Sequence, residues 1–219
     1  MFIGHFAVGL AGKKLAPKAS LAALWLAAVF ADVLWPVLVA VGAEDVRIVP
    51  GTTAYTPLDF VRYPWSHSLL MLLIWGGLFA AYYRKRPDGA RTGAVLGALV
   101  VSHWVLDWIT HRPDMPLWPG GPKYGLGLWE SVIGTMVVEI SMFIVGLFLY
   151  LQCTRSRDRT GGLALLGLIA LLVATYIADS LSAAPPPSVE AMWISALIAT
   201  AVVLAWAQWV ERHRVSTGD

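Results

Sequence analysis

Residues 102–119 read S-H-W-V-L-D-W-I-T-H-R-P-D-M-P-L-W-P, at the end of an apolar run that carries His103, Asp107 and His111 at intervals of four. On a helix of 3.6 residues per turn this spacing makes one polar stripe. An isolated charge at mid-membrane costs about 2.5–3.5 kcal/mol on insertion scales, so such groups are kept for a partner or a task. A divalent cation is the partner that suits two imidazoles and a carboxylate, because it binds them as neutral rings and an anion. The stripe is therefore read as half of a metal site.

Further ionisable residues stand among apolar neighbours. Asp32 is followed by Pro36, whose missing N–H leaves the Asp32 carbonyl without a helical partner, so a kink is expected there. No basic residue lies at that depth to pair with Asp32. His67 follows Ser66 in Y-P-W-S-H-S, which reads as an N-cap and first turn. A helix N-terminus there disfavours imidazolium, leaving a neutral ring for metal, and its free N–H groups could hold an anion. Glu139 lies about 14 Å along a helix from Glu130, at the depth of Asp32 and His103. It reads as a ligand, a proton carrier, a group orienting a ligand, or a protonated side chain hydrogen-bonded in a bundle. His5 is the one polar residue before Lys13, about 12 Å away along a helix.

The composition names the scaffold that must hold these groups. With 219 residues, 58% of them hydrophobic, and a mean hydropathy of +0.66, the chain has more apolar surface than one soluble core hides. It is expected to be an all-α, polytopic membrane helical bundle. Six transmembrane helices are expected at 20–42, 66–83, 93–110, 129–151, 161–182 and 191–210, each near the roughly 20 residues a crossing needs. Residues 1–15 are too short to cross and are read as a re-entrant half-helix with its lysines at the interface, or as an interfacial helix, with Gly4, Gly9 and Gly12 permitting close packing. Val29-Phe30-Ala31 resembles a cleavage site, but the apolar run continues to Val41, so retention as a span is expected. The whole, 1–219, reads as one membrane domain, with the metal-site residues in 1–152 and two further spans in 153–219.

Twelve basic residues, from Lys13, Lys14 and Lys18 through Arg84, Lys85, Arg86, Arg91, Arg155, Arg157 and Arg159 to Arg212 and Arg214, fall on one side of this topology. Only Arg47, Arg62, Arg112 and Lys123 fall on the other, so both termini are expected in the cytoplasm. The Pro- and Gly-rich stretch 113–128 reads as a stiff outer loop, either a binding loop or a connector. Tryptophans at span ends, Trp65, Trp118, Trp129 and Trp209, are expected in interfacial belts. The single Cys153 excludes an internal disulfide and a thiolate zinc cluster, so any metal is held by His and carboxylate. A net charge of +2, with no basic run interleaved with aromatics, points away from nucleic acid and leaves membrane lipids as the expected surroundings.

Gly4-His5, Ala31-Asp32 with Pro36, Ser66-His67-Ser68-Leu69-Leu70, Ser102-His103 with Asp107 and Thr110, and Leu117-Trp118-Pro119 together resemble the predicted membrane-bound metal-dependent hydrolases of the LexA-regulated inner-membrane hydrolase family. The resemblance covers roughly residues 1–139, and S-H-x-x-x-D-x-x-T followed by L-W-P is its most specific part. That family is in turn similar to the zinc-dependent phospholipase C and single-strand nuclease superfamily. The resemblance implies a first metal, a zinc ion for preference, on Asp32, His67, His103 and Asp107, and a second on His5 bridged through Asp107. The chain departs from the family pattern at Val33-Leu34-Trp35, where a second Asp and a His are common, and at His111, where proline is common.

These readings lead to a metal-dependent hydrolase of a phosphoester, lipid-linked because the polar groups crowd the outer half of the spans, with Asp107 or Glu139 as proton acceptor. A protein that senses or conducts a metal ion or protons through the same residues, and a purely structural metal site, are the competing classes. Conduction needs polar groups along the whole path, and here the cytoplasmic halves are bare. The charge asymmetry is open to a direct check: reporter fusions after Pro50 and after Arg86 should report opposite sides of the membrane, and the same side for both would refute the expected topology.

Overall fold

The computed structural model describes residues 1–86, 89–182 and 184–217, which fold as a helical bundle with short two-stranded ladders at its two ends. In chain order the helices are α1 (Ile3–Leu15), α2 (Leu21–Ala28), α3 (Phe30–Ala40), α4 (Pro64–His67), α5 (Leu69–Arg84), α6 (Gly89–Thr110), α7 (Val132–Cys153), α8 (Arg159–Leu181) and α9 (Val189–Arg212). The strands pair as antiparallel ladders: β1 (Asp45–Ile48) with β2 (Leu58–Arg62), β3 (Met115–Pro116) with β4 (Lys123–Tyr124), and β5 (Thr154–Ser156) with β6 (Arg214–Ser216). The chain is mostly helical, as expected, and the ladders are additions to it: two connections fold on themselves, and the α7–α8 connection pairs with the segment after α9.

Helix starts follow local chemistry. Ser20, Ser68, Ser131, Asp158 and Ser188 each accept the third following backbone N–H and so cap α2, α5, α7, α8 and α9. Ser66 is not the cap expected of it. It lies inside the four-residue α4, and His67 ends α4 rather than opening the long helix.

Four helices, α6 to α9, are long and apolar enough to cross a bilayer, and α2 with α3 makes a fifth such segment bent by 58°. Of the six expected spans, 66–83 becomes α5, an apolar helix of only 16 residues. The bend expected near Pro36 is displaced. Pro36 sits inside α3, and the chain instead leaves helical geometry at Val29, with φ −104° and ψ 17°. One missing N–H does not break α3, whereas a residue outside the helical well turns the whole segment.

Residues 1–15 do not form an interfacial helix, and of the two lysines expected at the interface Lys14 is exposed whereas Lys13 is buried. Helix α1 packs against α7, α2, α6 and α8, with Ile3, Leu10 and His5 buried. Lys13 is 1% exposed, and its Nζ donates to Glu211 Oε1 at 2.6 Å and to the Ala19 carbonyl at 2.7 Å. Glu211 Oε2 also accepts the Leu21 N–H, which ties α9 to the start of α2 as well as to the end of α1. One apolar cluster surrounds α1 through Ile3, Leu10, Trp25, Phe143 and Leu168, and a second joins α2, α5 and α6 through Leu24, Leu72, Leu96 and Val100.

Both clusters rely on close backbone approach. A Cβ on Gly97 would meet the Gly76 carbonyl oxygen at 2.7 Å, which lets α5 lie against α6. A Cβ on Gly146 would meet the Ala7 carbonyl oxygen at 2.4 Å, which lets α7 press on α1. Gly146→Ala is therefore expected to lower the melting temperature in detergent, by about 1–3 kcal/mol of overpacking strain. Gly77→Ala, with no atom within 4 Å of the added Cβ, should raise it slightly. Equal melting temperatures for the two variants would contradict the α1–α7 contact.

Candidate metal centre

Helix α6 supplies His103 and Asp107 one turn apart on its buried face, with side chains 0% and 3% exposed. The helix ends at Thr110, and His111 follows as the first residue beyond it, its N–H still bonded to the Asp107 carbonyl. The break at Val29 delivers Asp32 from the first turn of α3, and the α4–α5 junction delivers His67. Helix α1 brings His5 from the opposite side.

Four imidazole Nε2 atoms converge on the Asp107 carboxylate. On the Oδ1 side, His5 Nε2 stands at 3.1 Å and the Met1 nitrogen donates to the same oxygen. On the Oδ2 side stand His103 Nε2 at 3.1 Å, His67 Nε2 at 3.8 Å and His111 Nε2 at 3.9 Å. Asp32 Oδ1 lies 3.6 Å from both His67 Nε2 and His103 Nε2. The ligand atoms of Asp32, His67 and His103 lie within 4.8 Å of one another, as do those of His5, His103 and Asp107. The rings of His5 and His103 stack at 3.8 Å and 4°, a contact that two imidazolium ions would oppose.

The outer hydrogen bonds settle which ring nitrogen carries the proton. His103 Nδ1 lies 2.9 Å from the Ala28 carbonyl, which only accepts. His111 Nδ1 lies 2.9 Å from Asp114 Oδ1, which also takes the Tyr63 hydroxyl at 2.8 Å. Both rings are therefore Nδ1–H donors, and when neutral each turns an Nε2 lone pair toward the carboxylates. Burial shifts the His111 ring below its ordinary imidazole value, against the pull of Asp114 and Asp107. Burial would raise the Asp114 carboxyl, but hydrogen bonds from His111 and Tyr63 and the charge of Arg112 outweigh it and hold the group below the usual carboxylate range. Lone pairs facing anionic oxygens repel unless a cation lies between them.

Glu139 stands elsewhere. Its Oε2 accepts the N–H groups of Phe2 at 2.8 Å and Gly4 at 3.0 Å, so it caps α1 beside His5, and its Oε1 is buried without a partner. The first-turn N–H groups expected to hold an anion near His67 are already used, since Trp65 and Ser66 donate both to Glu44 Oε1. Trp129 is no belt residue. It is buried, and its ring packs 4.1 Å from His111, with Phe60 at 4.9 Å on the same imidazole. Trp65, Trp118 and Trp209 are exposed. The 113–128 loop folds back on the site, with Leu126 and Gly127 donating to the carbonyls of Trp108 and His111, and Leu117 accepting from Leu70. Asp32 alone of the cluster is open to the outside, with its side chain 42% exposed.

Residues 1–183 match the family model described as YdjM inner membrane protein. The chain belongs to the YdjM inner membrane protein family. The match takes in every residue of the His/Asp cluster and ends before α9. Membership and the apolar helices make this an integral inner-membrane protein. Comparison with curated proteins gave no match, and neither did comparison with solved structures.

Sequence reasoning did not find Glu44, Asp114 and Tyr63. Asp114 follows His111 by three residues, a spacing that could have drawn it in. Glu44 lies in a polar turn beside Asp45, where no local pattern sets it apart.

Proposed function

We propose that the chain is a membrane-embedded, divalent-metal-dependent hydrolase of a phosphoester, with a lipid-linked substrate as its natural class. The observation that carries this reading is the convergence of the Nε2 atoms of His67, His103 and His111 on Asp107 Oδ2, with Asp32 closing the fourth side. Asp32, His67, His103 and Asp107 would hold the ion. Nitrogen and oxygen donors with no sulfur suit zinc and its borderline neighbours. His111 flanks the same oxygen as a further ligand. A second ion on the Oδ1 side, toward His5, would have to displace the Met1 nitrogen, which already neutralises that oxygen.

A divalent ion in this position supplies Lewis acidity and lowers the pKa of water toward neutrality, the two services that phosphoester hydrolysis needs. The chain's own residues do the rest. Asp32 marks the open side, where a phosphate could approach. Phe60, Trp129 and Tyr63 wall His111 against water. Asp107 is engaged by imidazoles on both oxygens, so Glu139, with Oε1 free, is the carboxylate left to accept a proton. The motif resemblance set out above favours hydrolysis over sensing, conduction or a purely structural ion. In the membrane, α5 with the preceding turn would complete a sixth crossing, with both termini cytoplasmic and the cluster near the outer leaflet.

Asp107→Asn keeps the side chain's size and removes the anionic donor. Metal content of the purified variant should fall from about one equivalent to a small fraction, and activity on a chromogenic phosphodiester should fall at least 10–100-fold. Chelator should lower the thermal stability of the parent and leave the variant nearly unchanged, because a ligand stabilises only the form that binds it. Asp179→Asn, at an exposed position on α8, should alter neither quantity. Parent protein with less than about a tenth of an equivalent and no response to chelator would contradict the metal reading. Stoichiometric metal without hydrolysis of any phosphoester would move the protein to the structural or sensing class.

A further inference from the structure

Glu44 is an acidic side chain only 2% exposed, placed in the turn between α3 and β1, outside the ligand set. Its two oxygens do different things. Oε1 accepts the N–H groups of Trp65 at 2.7 Å and Ser66 at 2.9 Å, while Oε2 accepts the Ser66 hydroxyl at 2.6 Å. Ser66 Oγ in turn lies 2.7 Å from His67 Nδ1. A serine hydroxyl has one proton and a carboxylate can only accept, so that proton points at Glu44. Ser66 Oγ therefore faces His67 as an acceptor, and His67 Nδ1 must carry the hydrogen.

We propose that Glu44, acting through Ser66, is the positioning residue that holds His67 as its Nδ1–H tautomer and so turns the Nε2 lone pair toward Asp32 and Asp107. The assignment rests on the metal-site reading for its purpose, although the tautomer itself does not. His103 and His111 reach the same state through the Ala28 carbonyl and through Asp114. His67 differs because a hydroxyl can donate as well as accept, so its tautomer is decided one residue further out, by whatever receives the Ser66 proton. A carboxylate there leaves one answer. Groups that orient a ligating imidazole in this way typically change metal affinity 10–100-fold when replaced.

A purely structural Glu44 would serve only to cap α4 through Oε1, and two variants separate the roles. Ser66→Ala removes the relay and leaves the cap. Glu44→Gln keeps an oxygen for the backbone N–H groups, but its amide donates to Ser66 Oγ and frees the serine proton to turn toward His67 Nδ1. The full chain, labelled with 15N-histidine and purified in detergent, is compared with both variants by the nitrogen shifts of His67 and by Zn2+ affinity in competition with a chromophoric chelator. The parent should show a protonated Nδ1 and an unprotonated Nε2 at His67. In Glu44→Gln that pattern should invert, and both variants should bind Zn2+ about 10-fold or more weakly than the parent. Variants that keep the parent's His67 pattern and its Zn2+ affinity would overturn the assignment while leaving the metal site standing. A parent that takes up no Zn2+ yet shows the inversion in Glu44→Gln would support the relay and sink the metal reading instead.

Discussion

Asp107 is a carboxylate with a side chain only 3% exposed, on a helix long and apolar enough to cross a bilayer. An isolated charge in such surroundings loses several kcal/mol of hydration, so the fold must bring polar partners to it or leave it protonated. It brings four imidazoles from α1, α4, α6 and the residue after α6, with Asp32 of α3 beside them. A second carboxylate near the first would be repulsive on its own. Neutral Nδ1–H imidazoles do not cure that repulsion, because they present lone pairs. A cation would; the Met1 ammonium already meets Asp107 Oδ1, so the side facing Asp32 and Oδ2 is where the proposed divalent ion would act.

Holding the cluster accounts for much of the architecture. Helix α1 must lie inside the bundle to bring His5 to Asp107, and it can do so because Gly146 lets α7 approach its backbone and Glu139 satisfies the N–H groups of its first turn. Lys13 is drawn inside with it and is balanced by Glu211. The bend at Val29 lets one apolar segment pack α2 against α6 and aim Asp32 from α3 at the site. Phe60 of β2, Tyr63 just after it and Trp129 just beyond the 113–128 loop then cover the histidines, lowering the local dielectric and strengthening every polar contact beneath.

Much of this was legible from residue type and spacing. His103, Asp107 and His111 announce one another through a helical period, and the apolar runs announce the long helices to within a few residues. What stayed hidden depends on contacts between elements. Val29 has nothing in its type that foretells a break, whereas Pro36, which does, is absorbed within α3. Lys13 looked like an interfacial lysine because its partner Glu211 lies 198 residues away. Glu44 and Asp114 sit in polar connections where acidic residues are ordinary, and only the folded chain shows that each receives a hydrogen bond that fixes an imidazole. Ser66 was misread for a related reason: a serine ahead of a helix usually caps it, but here Ser68 takes that task and leaves Ser66 for Glu44.

The central claim is that a divalent ion lies among His67, His103, Asp32 and Asp107 Oδ2. X-ray absorption at the metal edge of protein purified from cells, without added metal, tests it most directly. The account predicts zinc or a neighbouring transition metal bound only by nitrogen and oxygen at about 2.0–2.2 Å, with the outer scattering of imidazole rings. An edge signal too weak to measure, or a first shell of sulfur scatterers near 2.3 Å, would contradict it.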